Sequence, residues 1–226
     1  MAATLEADHL YRFFHVGDDE TLALRGVSLQ LNPGEVVAVT GPSGSGKSTL
    51  MNCLAGLDEP NGGTVRIAGD RLSRRPESER ARLRGRHIGI VYQHANLVGH
   101  LSVRDNVALA RGLAPEAPST KLDALLVQCG IAHRASSRPA QLSGGELARA
   151  GIAVALANDP SVLLADEPTG ELDEATAGAM IALLRARAAG GKAVLIATHS
   201  GHVSGIADRE IRLRDGEVQT EVGPGS

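Results

Sequence analysis

No tryptophan occurs in this chain, and phenylalanine and tyrosine occur twice each, so aromatic residues make up 2% of its 226 positions. Proteins that hold single-stranded nucleic acid by stacking successive bases need a row of aromatic faces, which this composition cannot supply. Cysteine is as scarce. Cys53 and Cys129 stand far apart without the spacing of a metal-ligand set, and two isolated thiols fit buried small apolar residues in a reducing compartment rather than a disulfide framework. Neither sign of charge prevails: 23 basic against 26 acidic residues leave a formal net charge of −3. An isoelectric point near 6.2 gives no broad attraction to nucleic acid or to an anionic membrane surface. No apolar run approaches the ~20 residues that cross a bilayer. The N-terminus, with Glu6 and Asp8 and no apolar segment, does not read as a signal peptide. A role at a membrane would need a partner to supply the span. At this length one domain, or one domain with a subdomain, is expected.

What the chain does have is a valine-rich run of strand length over 36–40, a glycine-rich turn, and a helical pattern predicted over 48–57. The turn reads Gly41-Pro42-Ser43-Gly44-Ser45-Gly46-Lys47-Ser48-Thr49, the G-x-x-x-x-G-K-[ST] pattern, which carries meaning only between a strand and a helix. Gly44 and Gly46 let successive backbone N–H groups converge on phosphate oxygens with no side chain in the way. The helix N-terminus adds its positive end. Lys47 is expected to reach the β- and γ-phosphates and the Ser48 hydroxyl to ligate Mg²⁺. A bare strand-to-helix turn would not need the lysine and the hydroxyls together, so the stretch predicts binding of a nucleoside triphosphate.

Around this loop the chain alternates strands and helices. Residues 5–14 and 23–31 read as strands flanking a polar turn over 17–20, and 64–67 as another. Phe13 and Phe14 lie just upstream of the loop, where an aromatic could stack on a nucleobase or serve as an ordinary core or edge residue. Arginines and glutamates over 73–86 describe a solvated helical face with i,i+4 pairs. The strand 88–92 ends at Gln93, whose amide could ligate Mg²⁺, order water, or simply close the strand. Helices are predicted over 103–113 and 121–129 with a loop over 112–120. Leu142-Ser143-Gly144-Gly145-Glu146 reads two ways at once. It is a capping box opening a helix over 147–157, and a second helix N-terminus with Ser143 and the glycine amides open to an anion. An apolar strand over 161–165 ends in Asp166 and Glu167, the pattern that holds Mg²⁺ and then orients and deprotonates a water. A helix over 175–189, a strand over 193–197 followed by Thr198-His199, a closing hairpin at 211–213 and 217–222, and a loose tail over 223–226 complete the reading.

In order, these motifs resemble the nucleotide-binding subunit of an ABC transporter, and the resemblance runs over nearly the whole chain. It implies that Gly41 to Thr49 is the Walker A loop, that Gln93 is the Q-loop glutamine at the metal, and that Leu142 to Glu146 is the signature. Asp166 then closes Walker B, Glu167 is the catalytic carboxylate, Asp173 belongs to the D-loop, and His199 is the switch histidine near the γ-phosphate. Phe14 fits the family's aromatic adenine platform. The implied fold is α/β, a RecA-type P-loop NTPase core with an N-terminal antiparallel β-subdomain and an inserted α-helical subdomain. Residues 1–93 and 156–226 would form the core and 94–155 the helical part. Cofactors would be ATP and Mg²⁺. Partners would be a second copy, each signature capping the γ-phosphate on the other protomer, and a separate transmembrane permease. The protein would sit in the cytoplasm, on the inner face of the membrane, through that permease. Asp166-Glu167-Pro168-Thr169-Gly170-Glu171-Leu172-Asp173 and the stretch 96–107 are similar to the group of macrolide exporters, lipoprotein-releasing ATPases and the ATPase that partners an FtsX-like permease.

The departures from the family pattern cluster after the signature. Glu146 stands where glutamine is usual, and Leu147, Ala148 and Val154 replace polar or basic residues. Gly151 in a helix interior costs ~1 kcal/mol relative to alanine, and Gly99 replaces a proline near the Q-loop. A carboxylate at 146 would repel the partner's γ-phosphate unless a capping-box bond to Ser143 turns it away, so weak ATP-dependent dimerisation and slow turnover are expected of the isolated chain. Two other readings compete. A soluble ABC ATPase of DNA repair or translation usually carries tandem cassettes or a long coiled-coil insert, and neither is visible. A small-molecule kinase would leave the signature and His199 unexplained.

Overall fold

Apolar residues alternating with polar ones build the first sheet, and near-continuous apolar runs build the second. In the computed structural model, which describes residues 3–16, 19–93, 97–115, 121–170 and 172–223, the chain opens with a long hairpin, β1 (Leu5–Val16) and β2 (Asp19–Leu31). The Asn32-to-Glu35 turn leads into β3 (Val36–Thr40), buried except at its last residue. Then follow α1 (Lys47–Leu54), β4 (Gly62–Ile67), β5 (Asp70–Arg71), α2 (Glu77–His87) and β6 (Ile88–Val91). The described residues between β6 and the next strand carry only helices: α3 (Val103–Gly112), α4 (Leu122–Gln128), 3₁₀ turns at Ala132–Arg134 and Pro139–Gln141, and α5 (Gly144–Ala155). The chain closes with β7 (Val162–Asp166), α6 (Glu174–Ala189), β8 (Ala193–Thr198), α7 (Gly201–Ser204), β9 (Arg209–Arg214) and β10 (Glu217–Val222).

Two sheets result. The first is antiparallel in the order β2-β1-β4-β5, and the second runs β10-β9-β3-β8-β7-β6. In the second, β3, β8, β7 and β6 are parallel, with Val36 opposite Val194, Leu163 opposite Val194 and Ile88 opposite Val162. Their C-terminal ends therefore share one edge, where open α/β sheets bind ligands. The phosphate loop leaves β3 there, Gln93 follows β6, Asp166 ends β7 and Thr198 ends β8. Period-two alternation divides β3 between two cores. Val37 and Val39 pack with α1 and the antiparallel sheet, and Val36 faces the core that α3 to α6 share. Among the described residues no helix is long and apolar enough to cross a membrane.

The boundaries differ from expectation where glycine or tertiary pairing decides. α1 stops at Leu54 instead of running to 57, because Gly56 takes φ +65 and its N–H and that of Leu57 turn back to Cys53 and Asn52 carbonyls, a left-handed helix stop. α5 starts at Gly144, three residues earlier than predicted, directly after its cap Ser143. The C-terminal hairpin begins at Arg209 and pairs in parallel with β3, so it extends the main sheet instead of merely closing the chain. Residues 17–18 of the turn predicted over 17–20, residues 116–120 of the predicted loop, residues 94–96 (the last of them in the family-like stretch 96–107), Glu171 and the tail from 224 lie outside the described residues, and residues 19–20 belong to β2 instead of the turn.

Gly89 joins β6 to the helical layer by close backbone approach. A Cβ there would stand 2.3 Å from the Ala155 carbonyl oxygen and 2.9 Å from Leu163 Cδ1 and Pro160 Cγ. Gly89→Ala must therefore push the end of α5 away. We expect a loss of ~1–3 kcal/mol, the range for overpacked cores, read as a lower urea midpoint with unchanged m-value. An unaltered midpoint would show that α5 is not seated on β6.

Candidate active site

The phosphate loop is shaped by three glycines in the left-handed region, Gly41 at φ +152, Gly44 at +77 and Gly46 at +101. Two of them are needed for clearance as well. A Cβ on Gly41 would lie 2.1 Å from the Leu213 carbonyl oxygen, and one on Gly46 would lie 2.5 Å from that of Ala23. Gly44 instead faces open space. Gly46 caps α1, so the helix N-terminus opens directly from the loop. Lys47 Nζ donates to the carbonyls of Gly41 (2.7 Å) and Pro42 (3.0 Å). Ser45 is buried, and its Oγ has no hydrogen-bond partner among the described residues.

A cleft of about 710 Å³ gathers most of the predicted residues: Ser43, Gly44, Gly46, Lys47, Ser48 and Thr49 from the loop, with Gln93, Asp166, Glu167 and His199. Gly41 and Pro42 line a neighbouring hollow that His199 shares. Burial pushes the Asp166 carboxyl above its ordinary pKa; the Ser48 hydroxyl bonded to it opposes the rise, Glu167 adds to it, and Lys47 opposes it. Glu167 sits at φ +46, uncommon for a residue with a side chain. Its N–H is held by the Ala197 carbonyl at 2.9 Å. That backbone turn aims the carboxylate at the end of β8, where one oxygen accepts from Thr198 Oγ1 at 3.3 Å and the other lies 2.8 Å from His199 Nδ1.

The residues fit a triphosphate and a hard divalent cation. Gly44 leaves the loop open, the α1 N-terminus is cationic in character, and Lys47 carries a full charge. The Ser48 hydroxyl and the Asp166 carboxylate line the cleft together, and oxygen donors of this kind suit Mg²⁺.

The other predicted residues lie elsewhere. Phe14 does not line the cleft; it is partly exposed, with the Arg12 guanidinium 4.5 Å from its ring centroid. Asp173 caps α6, accepting from Thr176 N–H at 3.0 Å and Thr176 Oγ1 at 2.7 Å, and these bonds hold its carboxyl below the usual range. Gly145 packs on the same threonine, since a Cβ would be 2.8 Å from Thr176 Cγ2. Ser143, at the head of α5, accepts from the Glu146 N–H. The Glu146 carboxylate is turned into the capping box. The capping-box bond expected of it is made: its oxygens accept from Arg134 Nε at 2.8 Å and the Ser143 N–H at 2.9 Å, with His133 Nε2 at 3.2 Å. The 3₁₀ turn at Ala132–Arg134 delivers that arginine, which sequence spacing alone does not reveal.

A family profile described as ABC transporter matches residues 24–170. The chain belongs to the ABC transporter family. The macrolide export ATP-binding/permease protein MacB of Azoarcus sp. (strain BH72) is 42% identical over 223 residues, 97% of this chain and 34% of that protein. A protein of the same description from Chromobacterium violaceum is 42% identical over 224 residues, covering 98% of this chain and 35% of its own length. The chain thus spans about a third of the length of the curated relatives it matches. Among solved structures, a dimeric bacterial ABC transporter cassette, MJ0796, superposes with a TM-score of 0.91 at 33% identity, covering 98% of this chain and 99% of that one. A post-hydrolysis dimer of the same cassette bound to ADP and Pi gives 0.90 at 33% identity, with the same coverage. The fold is that of an ABC ATPase cassette, and the role these relatives support is that of a transporter ATPase, not of an ATPase in DNA repair or translation.

The cassette's cleft also has walls that sequence reasoning missed. Thr21, Leu22, Ala23 and Arg25 of β2 and Asp215 of the β9–β10 turn line it. The Asp215-Gly216 pair, both at positive φ, is a recognisable hairpin turn. Nothing local says that its Gly216 carbonyl accepts from Arg25 N–H and its N–H reaches Ser45 carbonyl.

Glu146 gives a pH-dependent test. The bond from Arg134, then those from Ser143 and His133, bring its carboxyl from 4.5 down to about 2. A depressed folded-state pKa means stability fully present above about 4.5 and lost as pH falls toward about 2. Glu146→Gln should therefore lower the urea midpoint at neutral pH, and the gap to the unaltered protein should close between those limits. A gap that persists undiminished at pH 2.5 would exclude the ionised capping box as its source.

Proposed function

We propose that this cassette hydrolyses Mg·ATP with Glu167 as general base and transmits closure of an ATP-bound dimer to a membrane permease. One observation carries the chemistry: the loop lysine, Ser48, Asp166, Glu167, Gln93 and His199 all face a single cleft at the sheet edge. Lys47 and the amides of Ser43 to Thr49 would hold the phosphates. Ser48, Asp166 and Gln93 are the oxygen donors for Mg²⁺, which when bound supplies charge neutralisation on the phosphates. Glu167 accepts the proton of the attacking water, and Thr198 and His199 fix its two oxygens so that the carboxylate does not swing away. Phe14 is the candidate platform for the adenine.

Ser143, Gly144 and Gly145 do not line this chain's own cleft. Their service to ATP bound on a second copy, in a head-to-tail homodimer with the α5 N-termini pointing at γ-phosphates, follows from that separation, and the dimeric assembly of MJ0796 supports it. Asp173 would sit in the same interface. In this reading 94–155 moves as a helical unit against a core of 1–93 and 156–226.

Coupling runs through Gln93. Besides the cleft, Gln93 lines a second cavity, of about 410 Å³, between β6, α3 and α5. That cavity is walled mainly by apolar groups, among them Leu57, Leu113, Leu147, Ala148 and Val154. Leu57 and Leu113 are exposed, as is Val98 nearby in sequence. The cavity suits a short apolar segment of the permease on the cytoplasmic side of the membrane. The permease is a separate subunit in the sequence-based expectation, whereas the names of the MacB relatives join ATP-binding and permease functions in one protein.

Glu167→Gln should keep Mg·ATP affinity while cutting hydrolysis by at least the ~10²–10⁴ of a lost general base, measured as phosphate release beside calorimetric binding. Near-normal turnover would reject the assignment. For the partner, Leu113→Glu should abolish permease-stimulated hydrolysis and leave the basal rate of the isolated chain unchanged. Stimulation equal to that of the unaltered chain would place the permease elsewhere. The resemblance to the family suggests the surface around 94–106 for the same contact, and residues 94–96 of it lie outside the described residues.

A further inference from the structure

Phe14 lies beyond the cleft wall, yet its neighbours fix where its ring can go. It pairs across the hairpin with Thr21, so the two side chains share a face of the sheet, and Thr21 lines the cleft that holds Lys47. The ring therefore stands at the cleft rim. One of its faces is taken by the Arg12 guanidinium, 4.5 Å from the centroid. That guanidinium is not a loose surface group. Nε and Nη2 form a two-pronged bond to Asp58 at 2.9 and 2.8 Å, and Nη1 reaches Asn61 Oδ1 at 3.0 Å and the Phe13 carbonyl at 3.2 Å. Asn61 Oδ1 also accepts the Phe13 N–H at 3.0 Å. Asp58 is anchored in turn, because its N–H donates to Asn52 of α1 at 3.1 Å.

We infer that Arg12 is a positioning residue for nucleobase recognition: clamped by Asp58 and Asn61, it backs the Phe14 ring and leaves the opposite face to stack on adenine. This rests on the reading of Phe14 as the platform and goes beyond it. The phosphates are placed by the N-terminus of α1 and the ring by a side chain tied just past its C-terminus. A single helix therefore sets the distance between the phosphate-binding and base-binding ends of the site. A planar guanidinium with its N–H groups satisfied in the ring's own neighbourhood can lie flat on the ring, which an ammonium cannot reproduce. The Arg12 and Asp58 side chains are 20% and 26% exposed, so the pair is partly shielded from screening.

The test separates base from phosphate. Affinities for Mg·ATP and for inorganic tripolyphosphate with Mg²⁺ would be measured by calorimetry on the full chain carrying Glu167→Gln to stop turnover. Arg12→Met should weaken Mg·ATP roughly two- to fivefold, the span of a partly exposed cation–π contact, and leave tripolyphosphate unchanged. Phe14→Ala should weaken Mg·ATP at least as much, and adding Arg12→Met to it should bring no further loss. Asp58→Asn, which loosens the clamp but keeps the guanidinium, should give a smaller loss of the same kind and stands in should Arg12→Met fold poorly. Equal loss for both ligands, or losses that add in the double variant, would overturn the proposal and reduce Arg12 to a structural tie. Loss in Phe14→Ala with none in Arg12→Met or Asp58→Asn would overturn it while sparing the platform. No loss in Phe14→Ala would overturn both.

Discussion

The carbonyl oxygens of Leu213 and Ala23 press on the phosphate loop at places where a glycine hydrogen fits and a methyl group does not, 2.1 and 2.5 Å from the missing Cβ positions of Gly41 and Gly46. Those carbonyls belong to β9 and β2, one in each sheet. The loop is therefore a three-way backbone junction, and its curvature is imposed from both sides. Gly216 at the β9–β10 turn repeats the arrangement, with a Cβ position 2.8 Å from the same Ala23 oxygen. Loop, hairpin turn and antiparallel sheet must dock together or not at all. Preorganised amides then need little further ordering when phosphate arrives, which is where binding energy is otherwise spent.

Parallel packing of β3, β8 and β7 brings the remaining chemistry to that junction. Consecutive residues Asp166 and Glu167 receive opposite assignments from one backbone kink. Asp166, still in the strand, turns toward Ser48. Glu167, in the left-handed region, turns toward Thr198 and His199. Holding a residue with a side chain there costs of order 1–3 kcal/mol, offset by the Ala197 bond to its N–H and the two contacts at its carboxylate. Two neighbouring carboxylates beside a triphosphate would repel it strongly in a medium of low dielectric. In the proposed function, Lys47, the α1 N-terminus and a divalent cation held by Ser48 and Asp166 would supply the countervailing positive charge, and would leave Glu167 as the carboxylate free to take a proton.

Legibility followed the range of the interaction. Strand-loop-helix order, the capping box at Ser143 and Glu146, and the acidic pair at the end of β7 all depend on residues a few positions apart, and their residues could be read off directly. The end of α1 at Gly56 was also local and readable as a left-handed stop, although a helix through 57 was the expectation. Contacts between distant segments were not readable. Arg134 beside Glu146, Arg25 N–H on Gly216, β9 alongside β3, and Thr21 in the wall of the cleft each arise from chain packing that no spacing rule encodes. Glu146 shows the consequence most sharply, since the sign of its effect on a neighbouring phosphate depends on an arginine twelve residues away.

That arginine changes the meaning of the unusual signature helix. The repulsion expected between Glu146 and the γ-phosphate of a second copy is weakened where the Glu146 charge is compensated by Arg134 and directed into the capping box. Leu147, Gly151 and Val154, spaced three and four apart, lie on one face of α5 with Ala148 beside them, and all four line the cavity that Gln93 also touches. The apolar substitutions are therefore concentrated on the face that lines this cavity. A helix that begins in the Ser143-Gly144-Gly145 amides and continues as one wall of that cavity ties the two together mechanically. Filling the cavity with an apolar segment buries those side chains, which favours one placement of the helix, and that placement sets where its N-terminus points. Gly151 loosens α5 at the middle of this wall. An occupant that packs against Leu147 and Val154 on either side of it would restore the stiffness the glycine removes.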